Sequence, residues 1–161
     1  MDADKKLIDR LQAVPWFQEI SREHFEAITK FTRRIDFDKD ETVFREGDNE
    51  DYLYVVIEGR VAIEVSSGTR GMLRIFTAEP LDVVGWSAIT PVVRQRTATA
   101  RAVVPSHLLS IDAIKLRKLC DENCELGYMI MTRISNVIAG RLMGARLQLL
   151  DLYGNHANEE K

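Results

Sequence analysis

The sequence predicts an α+β fold in which a jelly roll or barrel of short β-strands is flanked by helices at both ends. Three observations predict it. The hydrophobic period is helical over residues 3–31, changes to two from Thr32 to Ile111, and returns to helical from Asp112. Turn residues interrupt the middle zone at the short intervals typical of closed or sandwiched all-β layers. The chain has 161 residues, 45% of them hydrophobic, enough for one core in a single domain spanning 1–161 without disulfides or metals.

In the first zone Leu7, Leu11 and Val14 space by four and three. Pro15 then breaks the helix, and Ser21 is placed to cap a second, short one carrying Phe25, Ile28 and Phe31 on one face. In the second zone Ile35 and Phe37 alternate, and Asp38 to Glu41 turn the chain. Val43-Phe44 leads to the turn Gly47-Asp48-Asn49. Tyr52 to Ile57 is a β-rich run closed by Glu58-Gly59, and Val61, Ile63 and Val65 alternate before a hairpin loop at Ser66-Ser67-Gly68-Thr69. Leu73 and Ile75, Val83-Val84, Thr97 to Val103 and His107 to Ile111 complete about eight strands. In the third zone, 112–152, Asp112 caps a short helix (Ile114, Leu116, Leu119) and Asn123 caps a long one expected to end near Leu152. The polar residues after Leu150 are not expected to fold further.

On that long helix Met131, Ile134, Ile138, Leu142, Ala145, Leu149 and Leu152 recur at threes and fours, the seam of a coiled coil. A second apolar set, Leu126, Ile130, Val137, Leu147 and Leu150, lies off it. One set packs on the barrel and the other on a partner, which predicts a homodimer through residues 131–152; the competing reading buries the whole helix on its own domain.

Composition narrows the function. A net charge of −3 and a pI near 5.7 argue against a dedicated nucleic-acid binder. The charged first 20 residues contain no signal-peptide pattern, and the longest apolar run, Val83 to Val93, is too short to span a bilayer. A cytoplasmic location is expected. Cys120 and Cys124 make neither a disulfide framework nor a four-cysteine cluster, and read as small buried residues. His24, His107 and His156 lack metal-ligand spacing, and no paired carboxylates or nucleophile motif marks an enzyme. No cofactor, metal or catalytic residue is expected.

The segment Val84-Gly85-Trp86-Ser87-Ala88-Ile89-Thr90-Pro91, leading to Arg96-Thr97-Ala98-Thr99-Ala100, carries the chemistry. Gly85 allows a sharp turn, and Ser87-Ala88 begin a helical turn whose N–H groups face an anion well. Arg96 follows among small and apolar neighbours. Taken alone it reads equally as a surface charge or a structural ion pair; pointed inward it needs a partner, and a phosphate held bidentately would be one.

These residues resemble the cyclic-nucleotide-binding domain of the Crp/Fnr (catabolite activator) and protein-kinase-A regulatory-subunit superfamily. The resemblance extends over the Gly47-Asp48 turn, the hairpin from Tyr52 to Val65, the phosphate cassette from Gly85 to Ala100 and the long final helix. It implies a jelly roll of the double-stranded β-helix, cupin-like type. It also implies a ligand site at Gly85, Trp86, Ser87, Ala88, Arg96, Thr97 and Ala98, with cyclic AMP or cyclic GMP as candidate ligands. In the family the Ala88 position offers its N–H to the phosphate, Arg96 pairs with it, and Thr97 adds a hydroxyl. Trp86 departs from the pattern: relatives carry Glu there, which accepts from the ribose 2′-OH, whereas an indole only donates. Trp86 therefore either lines a pocket for a related planar or phosphorylated ligand or fills the site.

The helix in relatives touches the base, so Arg133, Asn136 and Gly140 face either a ligand or solvent. A leading function and its alternatives follow. The leading one is a regulatory sensor that binds a cyclic nucleotide or similar anion and signals through its last helix. The alternatives are a ligand-free dimerisation module, or a transcription regulator without its DNA-binding half. DNA-binding relatives carry a helix-turn-helix after this helix, and none is expected before Lys161.

Overall fold

The computed structural model describes residues 9–159 apart from Pro91, Val92 and Arg94; the side chains of Arg70 and of residues 152–159 also lie outside the description. The part of the first predicted helix at 3–8, including Leu7, is outside it too. The chain is helical at 9–13 and then makes a 3-10 turn at Pro15–Phe17. Helix α1, Arg22–Thr29, starts where Ser21 predicts: the Ser21 hydroxyl accepts from the His24 N–H at 3.3 Å.

Eight strands follow among the described residues: β1 Thr32–Phe37, β2 Thr42–Phe44, β3 Tyr52–Glu58, β4 Val61–Ser66, β5 Met72–Ala78, β6 Val83–Val84, β7 Thr99–Ala102 and β8 Ser106–Asp112. They form two antiparallel four-stranded sheets, ordered β1-β8-β3-β6 and β2-β7-β4-β5. This is the jelly-roll-like α+β layering that the periodicity predicts. Strand β3 shows why the sheets close on each other. Its Tyr54 and Val56 join Phe44, Val61, Val84 and Leu108 between the sheets, while Leu53 and Val55 on the opposite face pack under the helices. Both faces are buried, so the run is continuously apolar rather than alternating. At the β3–β4 turn Gly59 has φ +89°, and a Cβ there would lie 2.6 Å from the Pro105 carbonyl. Only glycine fits that approach.

Helix α2, Ala113–Glu122, is capped by Asp112, whose carboxylate accepts from Lys115 N–H at 3.0 Å. Helix α3, Cys124–Glu159, begins as Asn123 Oδ1 accepts from Leu126 N–H at 2.8 Å.

Four expectations change. Helix α3 continues through the residues after Leu150 to Glu159, because adding residues to a helix already nucleated needs no strong helix formers. The Met131 to Leu152 seam is not one free face: Ile134 is buried and Ile138 packs on the domain core, whereas Met131, Leu142 and Leu149 are exposed. Ile114 faces solvent while Leu116 fills the core. Cys120 is buried, its thiol pushed up to about 11 by desolvation, but Cys124 is exposed.

Candidate functional site

Gly85 sits at φ +79°, in the left-handed region, and swings the chain from β6 into a 3-10 turn at Trp86–Ala88. The turn is closed by Ala88 N–H to Gly85 O and Ile89 N–H to Trp86 O, both 3.1 Å. Ser87 and Ala88 are buried, and Ser87 O accepts from the Thr90 hydroxyl at 3.1 Å. The Ala88 N–H, which the family pattern points at a phosphate, is thus engaged within the turn.

Arg96 reaches this turn from the other side. Its backbone is tied to the Gly47-Asp48 turn, with Gly47 N–H donating to Arg96 O and Arg96 N–H to Asp48 O, both 2.9 Å. Its side chain points inward and is nearly fully buried. One Nη donates to Gly85 O at 2.8 Å and the other to Tyr52 O at 2.6 Å; Glu50 lies 3.6 Å away. The guanidinium lies 4.2 Å from the centroid of Phe44, which stacks on Tyr54. Its Nε is buried without a partner. Desolvation lowers the Arg96 pKa, while Tyr54 and Glu50 pull it back up. Burial, reinforced by Glu50, in turn raises the Tyr54 phenol to about 12. The inward arginine that needs a partner has found several in its own chain.

Beside this corner lies a cavity of about 230 Å³. Sheet residues Phe44, Ile63, Ile75, Phe76, Val83 and Val84 wall one side. Gly85, Trp86, Ser87, Thr97 and Ala98 wall a second, and Gly140, Arg141, Gly144 and Ala145 of α3 close it. Five of the seven residues expected at the site therefore line one cavity. Ala88 and Arg96 stand behind the wall. No Asp or Glu is among the described lining residues. Trp86 is partly buried against the helical core and forms a wall, leaving the cavity open beside it.

The line Arg133, Asn136 and Gly140 divides. Arg133 donates to the carbonyls of Trp16 and Gln18, fastening α3 to the N-terminal turn; Asn136 is exposed; Gly140 lines the cavity. Sequence reasoning missed Arg141. Its guanidinium lies over the Phe76 ring, 3.0 Å from the centroid, with one Nη 3.5 Å from Val83 O. Burial pushes it down to about 10, partly offset by Asp82. The signal was present: Leu126, Ile130, Ile134, Val137, Arg141 and Gly144 continue one inward stripe at threes and fours.

The chain is similar to known proteins over most of its length. It is 30% identical over 138 residues to the CRP-like cAMP-activated global transcriptional regulator of Mycobacterium tuberculosis, a match covering 84% of this chain and 58% of the relative. This chain therefore spans less than two thirds of the curated relative it matches. Among solved structures, the sensor domain of the transcriptional regulator DNR from Pseudomonas aeruginosa superposes with a TM-score of 0.76 at 20% identity, covering 88% of this chain and 95% of that one. A putative cyclic nucleotide-binding protein from Geobacter metallireducens gives a TM-score of 0.74 at 24% identity, covering 83% and 96%. These two bear on the fold alone. With residues 34–123 matching the family description "Cyclic nucleotide-binding domain", the chain belongs to the cyclic nucleotide-binding domain family.

Proposed function

We propose that this domain is a ligand sensor. A cyclic nucleotide, or a closely related phosphorylated planar ligand, occupies the cavity, its phosphate toward the Ser87, Arg96 and Thr97 side. The observation that carries this reading is that the cavity is walled jointly by the barrel and by four residues of α3. A ligand there touches the helix as well as the sheet, and any difference in its affinity for two helix positions shifts their populations. The family membership and the cAMP-activated regulator among the relatives support a cyclic nucleotide as the first candidate.

Output is through the far face of α3. At 100° per residue, Arg141, Gly144 and Ala145 lie on the cavity side. Leu142, Met143, Leu147 and Leu150 point to the opposite half and are 55–70% exposed. A contiguous apolar face of this kind marks an interaction surface, and a second copy of the same helix is the proposed occupant. Leu142→Asp combined with Leu150→Asp should convert a dimer to a monomer in sedimentation velocity without lowering the melting temperature of the monomer unit. A wild type that sediments as a monomer at high concentration overturns the dimer.

Titration calorimetry of wild type and Trp86→Glu with cyclic AMP and cyclic GMP tests the sensor. Binding to the folded state must also raise the melting temperature. The ribose 2′-OH has no carboxylate acceptor in the wild type, and an unpaired buried polar group costs about 1–3 kcal/mol. Trp86→Glu should therefore tighten binding roughly ten- to a hundred-fold. Absence of binding by both proteins favours the ligand-free dimerisation module.

A further inference from the structure

Arg141 is a partly buried cation with few partners in its own chain. Among the described residues it forms no ion pair, and its one polar contact, to Val83 O, is long at 3.5 Å. Its unpartnered nitrogens keep some exposure, unlike Arg96 Nε, and the residue lines the cavity. A guanidinium carries five N–H donors in one plane and no acceptor. Contact with the Phe76 ring restrains where that fork can lie. What it can recognise is therefore a pair of acceptors lying side by side.

On the sensor reading just proposed, on which this step rests, the phosphate lies toward the cassette. The flat base then extends between apolar walls toward α3 and meets this fork. Guanine presents two adjacent acceptors, N7 and O6, on the edge an arginine reads bidentately. Adenine presents N7 beside an N6 amino donor, so one N–H of the fork would face another N–H. Among the described residues no carboxylate lines the cavity to accept from that amino group. We propose that Arg141 makes the cavity selective for a purine with a two-acceptor edge, guanine over adenine.

The test is titration calorimetry with cyclic GMP and cyclic AMP on the whole chain, as wild type, Arg141→Gln and Arg141→Met. Melting temperatures of the three proteins establish that each is folded. A good bidentate contact discriminates between bases by a factor of roughly five to a hundred, and wild type should prefer cyclic GMP by that factor. Arg141→Gln offers one acceptor and one donor, the complement of adenine N6 and N7, and should abolish or reverse the preference. Arg141→Met should bind the two ligands equally. Wild type binding cyclic AMP at least as tightly as cyclic GMP overturns the inference and leaves the sensor standing. So does a preference unchanged in Arg141→Gln, or an equal loss of both ligands in it, which would put the arginine on the phosphate. Failure of wild type to bind either nucleotide overturns the sensor reading and this inference with it.

Discussion

Two arginines, Arg96 buried and Arg141 partly buried, flank the same cavity and are built in opposite ways. Arg96 has two backbone carbonyls, a nearby carboxylate and an aromatic face, all supplied by its own chain. Arg141 has an aromatic face and little else. A buried charge supplied with acceptors by the protein is a member of the fold. One left without them carries a desolvation cost that its own chain does not offset. The cassette arginine, which the sequence pattern marks as the ligand residue, is thus also a structural tie between β3 and the Gly85 turn. The helix arginine, which no motif marks, is the more available donor.

The largest expected effect follows from that contrast. Arg96→Ala leaves the carbonyls of Gly85 and Tyr52 buried without donors and opens a void beside Phe44. Breaking a buried charged network of this kind costs about 3–5 kcal/mol. Arg141→Met keeps the apolar contact with Phe76 and removes a desolvated charge, so its cost should stay within about 1 kcal/mol, with either sign. Urea unfolding of the two variants side by side measures the difference. Similar losses in both would erase the distinction between the two corners.

How much of this was legible in the sequence varies with the kind of signal. The eight strands could be read because hairpin turns at Glu58-Gly59 and Ser66 to Thr69 punctuate alternating runs, and the helix starts because Ser21, Asp112 and Asn123 are capping residues in the right places. Gly85 and its neighbours could be read because a positive φ before a short turn demands glycine. The partners of Arg96 could not be: carbonyls at Gly85 and Tyr52 carry no side-chain signature, and only the closed sheet brings β3 behind the cassette. The end of α3 is not legible because polarity alone does not stop a helix. Spacing by threes and fours alone does not decide which of its apolar residues face inward. Two successive steps of four, from Ile134 to Ile138 to Leu142, turn about 80° around the helix, which leaves Ile134 inward and Leu142 outside.

The smallest effect probes the same comparison through glycine. At Gly85 the backbone is crowded: a Cβ would lie 2.6 Å from Arg96 Nη1 and 3.1 Å from Tyr52 O, at a φ that side chains resist. At Gly144, on the Arg141 side, a Cβ would meet no atom within 4 Å. A glycine inside a helix is less stable than alanine by about 0.5–1 kcal/mol, since it loses more backbone freedom on folding. Gly144→Ala should therefore stabilise the domain by that amount, raising the melting temperature by about 1–4 °C for a chain of this size. The same methyl group enters the cavity, so any ligand lying against the helix backbone there should bind more weakly to the more stable protein. Calorimetric melting with and without cyclic GMP separates the two effects. A lower melting temperature for Gly144→Ala without ligand would mean that α3 packs against the sheet more closely than the open space at Gly144 implies. The Arg141 corner would then be as fully occupied by protein as the Arg96 corner.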